Sequence, residues 1–338
     1  MLHWRVTWRE RRGMRNMKGS AIRPIVWLAG FMACLAAGPV SGSAREPSFD
    51  ASRARFTAAF GETINPYDEL ATFVMPGQSV PIEVAGTAAG LRLAALAEGG
   101  RLDAVETRSW VWKAPITPGL YRLRLKSLNT NDTMQFNVFV MYPRSHATNG
   151  TLNGYPIGRY PETPLNNLDV YRPPKGFVEV TPDLANVPVS PHFRIGQFLC
   201  KEDARGPKYL VMRSALPLKL EGVLEEVNAS GVAAHGFEVM SGYRTPAYNR
   251  RIGNETTYSR HLWGDAADVF IDRDGDGAMD DLNRDGRVDM GDARWLVERV
   301  DALESAHTHL IGGVGQYKAN SHHGPFVHID SRGFKVRW

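Results

Sequence analysis

Ser241-Gly242-Tyr243-Arg244, Ser259-Arg260-His261-Leu262-Trp263-Gly264-Asp265-Ala266-Ala267-Asp268 and His322-His323-Gly324-Pro325-Phe326-Val327-His328-Ile329-Asp330 gather imidazoles, carboxylates and guanidinium groups in the last third of the chain. Two imidazoles and a carboxylate suit a catalytic zinc ion, because three protein ligands leave one coordination position open for water. Gly264 and Ala266 keep the chain small between His261 and Asp268, so both side chains can turn toward one ion. On a strand, His328 and Asp330 point to the same side. His328 can then ligate while Asp330 orients a ligand or touches the metal's water. Zinc held this way lowers the pKa of water toward ~7 and polarises a carbonyl, the chemistry of amide hydrolysis.

Between the second and third clusters runs an acidic stretch, from Asp272 to Asp292. Counted from Asp281, oxygen ligands fall at loop positions one, three, five, nine and twelve: Asp281, Asn283, Asp285, Asp289 and Asp292. Gly286 stands at position six, where the sharp turn is needed, apolar Val288 at eight, and Arg287 at seven offers its backbone carbonyl. This is the arithmetic of an EF-hand calcium loop. Asp292 replaces the usual glutamate at position twelve, so the loop resembles those of dockerins. A loop counted from Asp272 overlaps it, with Asp274, Asp276, Gly277 and Asp280 in register and Asn283 at position twelve. Clustered carboxylates repel one another without a cation, so the expectation is structural Ca2+, with a second ion held by Asp272, Asp274 and Asp276 as the overlapping reading.

The elements that must position these groups are written in the apolar periodicity. Leu216, Leu220, Val223, Leu224 and Val227 share one helical face, with Gly231 as the stop, and Ala293, Leu296, Val297, Val300 and Leu303 predict a second helix. Phe237 and Val239 predict a strand leading into Ser241, and Phe326 to Asp330 a final strand. Helices mixed with short strands predict an α+β domain over residues 191–338, with the calcium loop inserted at 272–292. Upstream the period changes to two. Val80, Ile82 and Val84, then Tyr121, Leu123 and Leu125, then Met134 to Tyr142, alternate with polar or small residues. Residues 45–146 therefore read as an all-β, sandwich-like domain, and 147–190, rich in Pro, Gly and Asn, as an extended connector.

Ser-x-His-x-x-Gly-x-Ala-x-Asp followed by Phe-Val-His-x-Asp, preceded by Ser-Gly-Tyr-Arg and Tyr248-Asn249, resembles the zinc D-Ala-D-Ala carboxypeptidases and the zinc murein endopeptidases. The resemblance covers roughly residues 191–338 and makes His261, Asp268 and His328 the zinc ligands. It implies a compact α+β peptidase fold, in which a small antiparallel sheet carries the metal, and peptidoglycan stem peptides as substrate. Arg244 becomes the group that stabilises the oxyanion or grips a substrate carboxylate. Some members of the family place Glu or Asp three residues before the last ligand; here Pro325 stands there, leaving His323 and Asp330 as candidates for the base.

Seven Lys or Arg in residues 1–44, an apolar run from Ile25 to Ala37 and small residues up to Ala44 predict a signal peptide. That leader takes seven of the 40 basic and one of the 36 acidic residues, leaving 33 against 35, a net of −2. The formal +4 is thus a targeting signal, and no nucleic-acid partner is expected. Cys200 is the only cysteine after residue 44, so no internal disulfide is expected. The apolar run is shorter than the ~20 residues of a membrane span, so none is expected after cleavage. The chain reads as a periplasmic or extracellular zinc peptidase. Its rival is a non-catalytic wall-binding or calcium-dependent adaptor that keeps the zinc fold, and Pro325 is the feature in the rival's favour.

Overall fold

Alternating side chains build the first part of the described chain into two sheets. The computed structural model describes residues 48–85 and 91–338; the leader expected over residues 1–44 lies outside them. Strands β1 (Arg53–Phe60), β2 (Thr63–Tyr67), β3 (Glu69–Val74), β4 (Ser79–Ala85), β5 (Leu93–Ala97), β6 (Arg101–Glu106), β7 (Ser109–Lys113), β8 (Gly119–Ser127) and β9 (Thr133–Val140) follow in order. One sheet runs β2-β1-β4-β7-β6 and the other β3-β9-β8-β5. Their inner faces meet through aromatic rings, with Phe60 at 5.4 Å from Phe136 of the other sheet and 6.2 Å from Trp112 of its own. Each such ring removes a large apolar area from water, and paired rings add ~0.5–1.5 kcal/mol beyond that burial.

The stretch expected to be an extended connector packs into the core. Leu152, Tyr155, Ile157, Tyr160, Tyr171 and Phe177 are all buried in the same core as the flanking elements. Strand β10 (Gly176–Val180) pairs with Tyr142–Pro143 on one side and with β11 (Lys208–Leu210) on the other. The Pro and Asn content breaks helical and strand periodicity, but apolar residues every few positions still pin the chain down.

The remaining elements are α1 (Ala215–Ala229), β12 (Glu238–Ser241), α2 (Pro246–Arg251), β13 (Ala266–Phe270), α3 (Met290–Ala306), β14 (Gly313–Tyr317), β15 (Phe326–Asp330) and β16 (Val336–Arg337). The last five strands form one sheet, ordered β12-β13-β15-β14-β16, antiparallel except for the parallel β14–β16 edge. Behind it α1 and α3 pack closely, since a methyl group on Gly222 would meet Leu303 at 2.7 Å. Lys219, wholly buried on α1, donates to Glu304 of α3 at 2.6 Å and to the Asp330 carbonyl at 2.7 Å. Arg337 bonds the second oxygen of Glu304. A buried pair of this kind costs ~3–5 kcal/mol when one partner is removed, so it ties both helices to the end of β15.

The two-sheet part joins the rest through polar contacts from β1, β2 and β9. Tyr67 donates to Glu225 at 2.6 Å, Arg53 pairs with Glu225 at 2.9 Å, and Asn137 donates to the Pro188 carbonyl at 2.9 Å. Among the described residues no helix is long and apolar enough to cross a membrane. In the same region His192, stacked on Phe49 at 5.0 Å, donates to Glu221 at 2.7 Å. Burial alone would lower the His192 pKa, but the hydrogen bond and charge of Glu221, with Asp50, raise it above its ordinary 6.5. Its contribution to stability is therefore full below pH 6.5 and is lost as pH rises through the raised value. Denaturant unfolding of the wild type and His192→Gln from about pH 6 to about pH 9 checks this. The gap between the two is expected to be widest at the acid end and to close upward; a gap independent of pH would contradict the pairing.

Candidate metal centre

His261 sits in the short helical turn Arg260–Trp263, which follows the ordered Ser241–Arg244 segment in space through the bond from the Arg244 N–H to the His261 carbonyl, 3.1 Å. Gly264 ends that turn with φ of +66°, and a Cβ there would stand 1.9 Å from the Val211 carbonyl oxygen. Only glycine allows the chain to reverse here and enter β13, where Asp268 is the third residue. On β15 the cross-strand partner of Asp268 is His328, so sheet register alone brings these two side chains together. His261 is 3%, Asp268 4% and His328 5% exposed, which places the group at the bottom of a depression rather than on the surface.

The distances define a small triangle. His261 Nε2 is 3.2 Å from Asp268 Oδ1 and 3.2 Å from His328 Nδ1, and His328 Nδ1 is 2.9 Å from Asp268 Oδ1. The opposite nitrogens are already committed. His261 Nδ1 donates to the Gly242 carbonyl at 2.7 Å, so its Nε2 turns a lone pair inward. His328 Nε2 donates to Asp330 Oδ2 at 3.2 Å, which turns Nδ1 inward as well. With His328 neutral, three acceptors converge, an arrangement that calls for a cation at their centre. Donors bound tetrahedrally to zinc at ~2.0–2.1 Å stand ~3.3 Å apart, so the triangle fits that ion.

Electrostatics follow from the same geometry. Burial would raise the Asp268 pKa, but the two imidazoles overcome it and hold the carboxyl well below its usual range. Burial lowers the His261 pKa, and Arg244 and His328 oppose its protonation further. Burial also disfavours charge on His328, yet the hydrogen bonds and charges of Asp268 and Asp330 outweigh it and push this imidazole up to about 8.

The residues expected to do chemistry divide. Arg244 is at the centre: it donates to Asp268 Oδ2 at 2.6 Å and to Ser241 at 2.8 Å, so part of its hydrogen-bonding capacity is spent aiming the carboxylate. Asp330 is wholly buried, and it accepts from His328, from Arg332 and from the Gly313 N–H at 2.7 Å. It supports a ligand and is not free to take a proton from water, because its oxygens are engaged and it lines no part of the cleft. His323 is not brought to the group; it bonds Asn320 at 2.8 Å and faces a separate hollow beside Glu238 and Gly277. Its backbone is tied to Asn320 as well, the carbonyl accepting from the Asn320 N–H at 2.9 Å and the N–H donating to Asn320 Oδ1 at 3.2 Å.

A cleft of about 710 Å³ opens over the triangle, walled by Tyr258 on one side and by Tyr317, Phe326 and Trp338 on another. Asp268 is its only carboxylate among the described residues. Sequence reading missed the aromatic wall, although Gly313, Gly315 and Tyr317 alternate opposite Phe326 and His328 and could have been found by that period of two.

In the insertion, the carboxylates of Asp272, Asp274 and Asp276 lie within 4.8 Å of one another. Asp272 accepts from Gly275 and Gly277, and Asp281 from Asp285 and Gly286. Asn283 donates to Asp285, whose other oxygen accepts from the Arg287 N–H at 3.0 Å. Asp292 is wholly buried and accepts from Leu282, Asn283 and Asp289, capping α3 as it closes the loop.

Replacing Asp330 by Asn should weaken zinc binding by ~10–100-fold with the fold kept, because His328 loses the charge that fixes its tautomer and basicity. Competition against a chromophoric chelator measures it, and unchanged affinity would remove Asp330 from the metal's support.

No curated protein matches the chain. Among solved structures it is similar to the titin M3 domain, at 18% identity over 25% of this chain and 97% of that one, with a TM-score of 0.16, too slight a likeness to bear on the fold. Residues 211–290, which hold α1, Arg244, His261, Asp268 and most of the acidic insertion, match the family described as Peptidase M15, and this part of the chain is thereby similar to a metallopeptidase.

Proposed function

We propose that this chain is an exported zinc peptidase that hydrolyses peptidoglycan stem peptides. The observation that carries the reading is the convergence of three inward lone pairs at the floor of a cleft, two of them within the segment similar to Peptidase M15. When bound, zinc would supply a Lewis acid that activates water and polarises the scissile carbonyl. His261, Asp268 and His328 would hold it. The chain's own contributions are those of placement. Gly242 and Asp330 fix which nitrogen of each histidine faces the metal, and Arg244 holds Asp268 by its second oxygen. The buried floor keeps bulk water from competing.

Stem peptides present amides between small residues beside free carboxylates, and a cleft with Arg244 and Arg332 along it and, among the described residues, no acid but Asp268 suits such a substrate. Whether a terminal D-Ala or a crosslink is cut depends on whether the cleft is closed at one end. Export, and with it a periplasmic or extracellular place of work, rests on the leader sequence.

The adaptor reading keeps one observation in its favour. Among the described residues no carboxylate but Asp268 lines the cleft, and Pro325 occupies the position where some members of the resembled family carry Glu or Asp. Digestion of purified muropeptides, followed by mass analysis, separates the two. The zinc-loaded protein should release D-Ala or split dimers, and His261→Ala should lower the rate by ~10³-fold or more, as removal of the Lewis acid demands. A folded, zinc-loaded protein that cleaves neither monomers nor dimers would establish the adaptor.

The insertion is proposed to bind calcium as a structural ion, in the loop from Asp281 to Asp292, with Asp272, Asp274 and Asp276 as the second site. Thermal unfolding in millimolar Ca2+ should rise by several degrees over the chelated protein, and Asp281→Ala should abolish most of that rise. Equal melting temperatures with and without the ion would end the calcium reading.

A further inference from the structure

The cations along the cleft each spend part of their donor capacity on a carboxylate. Arg244 holds Asp268, Arg332 holds Asp330, and Arg260 holds Asp265. A hydrolysis that passes through a tetrahedral centre still needs a hydrogen-bond donor aimed at the oxygen on which negative charge grows. In the aromatic wall of Tyr317, Phe326 and Trp338, Tyr317 carries such a donor. Tyr317 accepts at its hydroxyl from Trp338 Nε1–H, at 2.7 Å. An indole N–H can only donate, so the phenol oxygen is the acceptor and its own proton points elsewhere. Among the described residues nothing accepts that proton, and the side chain is 37% exposed within the cleft.

The hydroxyl is also held still. Tyr317 lies at the end of β14, paired in register with Phe326, and the two rings stack at 4.6 Å with 5° between their planes. Trp338 is seated by its backbone bonds to Val314 and Gln316 and by the absence of a side chain at Gly315, where a Cβ would fall 2.4 Å from the indole. Gly315 is the cross-strand partner of His328, and the Trp338 ring lies 5.2 Å from the His328 imidazole. The indole therefore links the ligand histidine to the phenol, and it keeps Tyr317 on the metal face of the sheet. A donor fixed before the reaction costs no reorganisation when charge develops.

We infer that Tyr317 is a catalytic residue, whose phenolic O–H donates a hydrogen bond to the oxyanion of the scissile amide, and that Trp338 is the positioning residue that aims it. The inference rests on the peptidase reading above. No proton is transferred from Tyr317; the bond strengthens as the carbonyl oxygen becomes negative and relaxes when the product forms.

The test compares wild type, Tyr317→Phe and Trp338→Phe, each zinc-loaded, with zinc content and melting temperature measured on every sample. With muropeptides as substrate, Tyr317→Phe is expected to lose ~10²-fold in kcat with little change in KM, the size of losing one such donor. A phosphinic pseudodipeptide of two D-Ala units, which carries charged oxygens where the tetrahedral centre would be, should bind Tyr317→Phe more weakly by a similar factor. Trp338→Phe, which keeps the phenol but frees it to turn, should fall between. Full kcat and full phosphinate affinity in Tyr317→Phe would overturn the inference while leaving the peptidase reading intact. A loss confined to KM would also overturn it, assigning Tyr317 to ground-state binding. A wild type that neither cleaves muropeptides nor binds the phosphinate would instead remove the peptidase reading, and the role of Tyr317 with it.

Discussion

Asp268 carries a negative charge at 4% exposure, flanked by two imidazoles and a guanidinium, and the rest of this half of the protein is arranged around keeping that charge tolerable. A carboxylate taken out of water loses several kcal/mol of solvation unless partners replace it. Each partner is in turn fixed by something else: Arg244 by Ser241, His261 by the Gly242 carbonyl, and His328 by Asp330, which Arg332 and the Gly313 N–H then satisfy. Lys219 and Glu304 continue the chain of supports to the helices behind the sheet. A cation at the centre of the triangle completes this scheme, because it gives the two inward lone pairs and the carboxylate a common partner.

Much of this was legible in the sequence, and for identifiable reasons. Short polar motifs with small residues between them mark the ligands, since His261 and Asp268 have little freedom once Gly264 dictates the reversal. Long amphipathic runs mark α1 and α3, whose periodicity is set by burial against each other. What stayed hidden depends on contacts distant in sequence. The fate of His323 turns on its hydrogen bonds to Asn320, and the role of Asp330 on a neighbour, Arg332, that no motif names. The stretch 147–190 reads as an extended connector because turn residues dominate it, whereas its few apolar side chains decide its burial.

The cleft makes a similar point about walls and floors. Its floor is specified by charged residues that sequence motifs reveal. Its wall is specified by packing: Phe326 under Tyr317, and Trp338 against the bare backbone of Gly315. Aromatic residues at such places look like ordinary core in a sequence, and only the exposure of Tyr317 and Trp338 sets them apart.

The pairing of Asp268 with His328 across β13 and β15 has one more consequence. In a sheet, a slip of one residue sends every side chain of a strand to the opposite face. A slipped β15 would point Val327 or Ile329 at Asp268 and turn His328 into the helices. An ion held by both strands binds only the correctly aligned sheet, so its binding free energy is added to that alignment alone. A metal held there would thereby act as a proofreader of folding, rewarding a single register of the very strands that carry it.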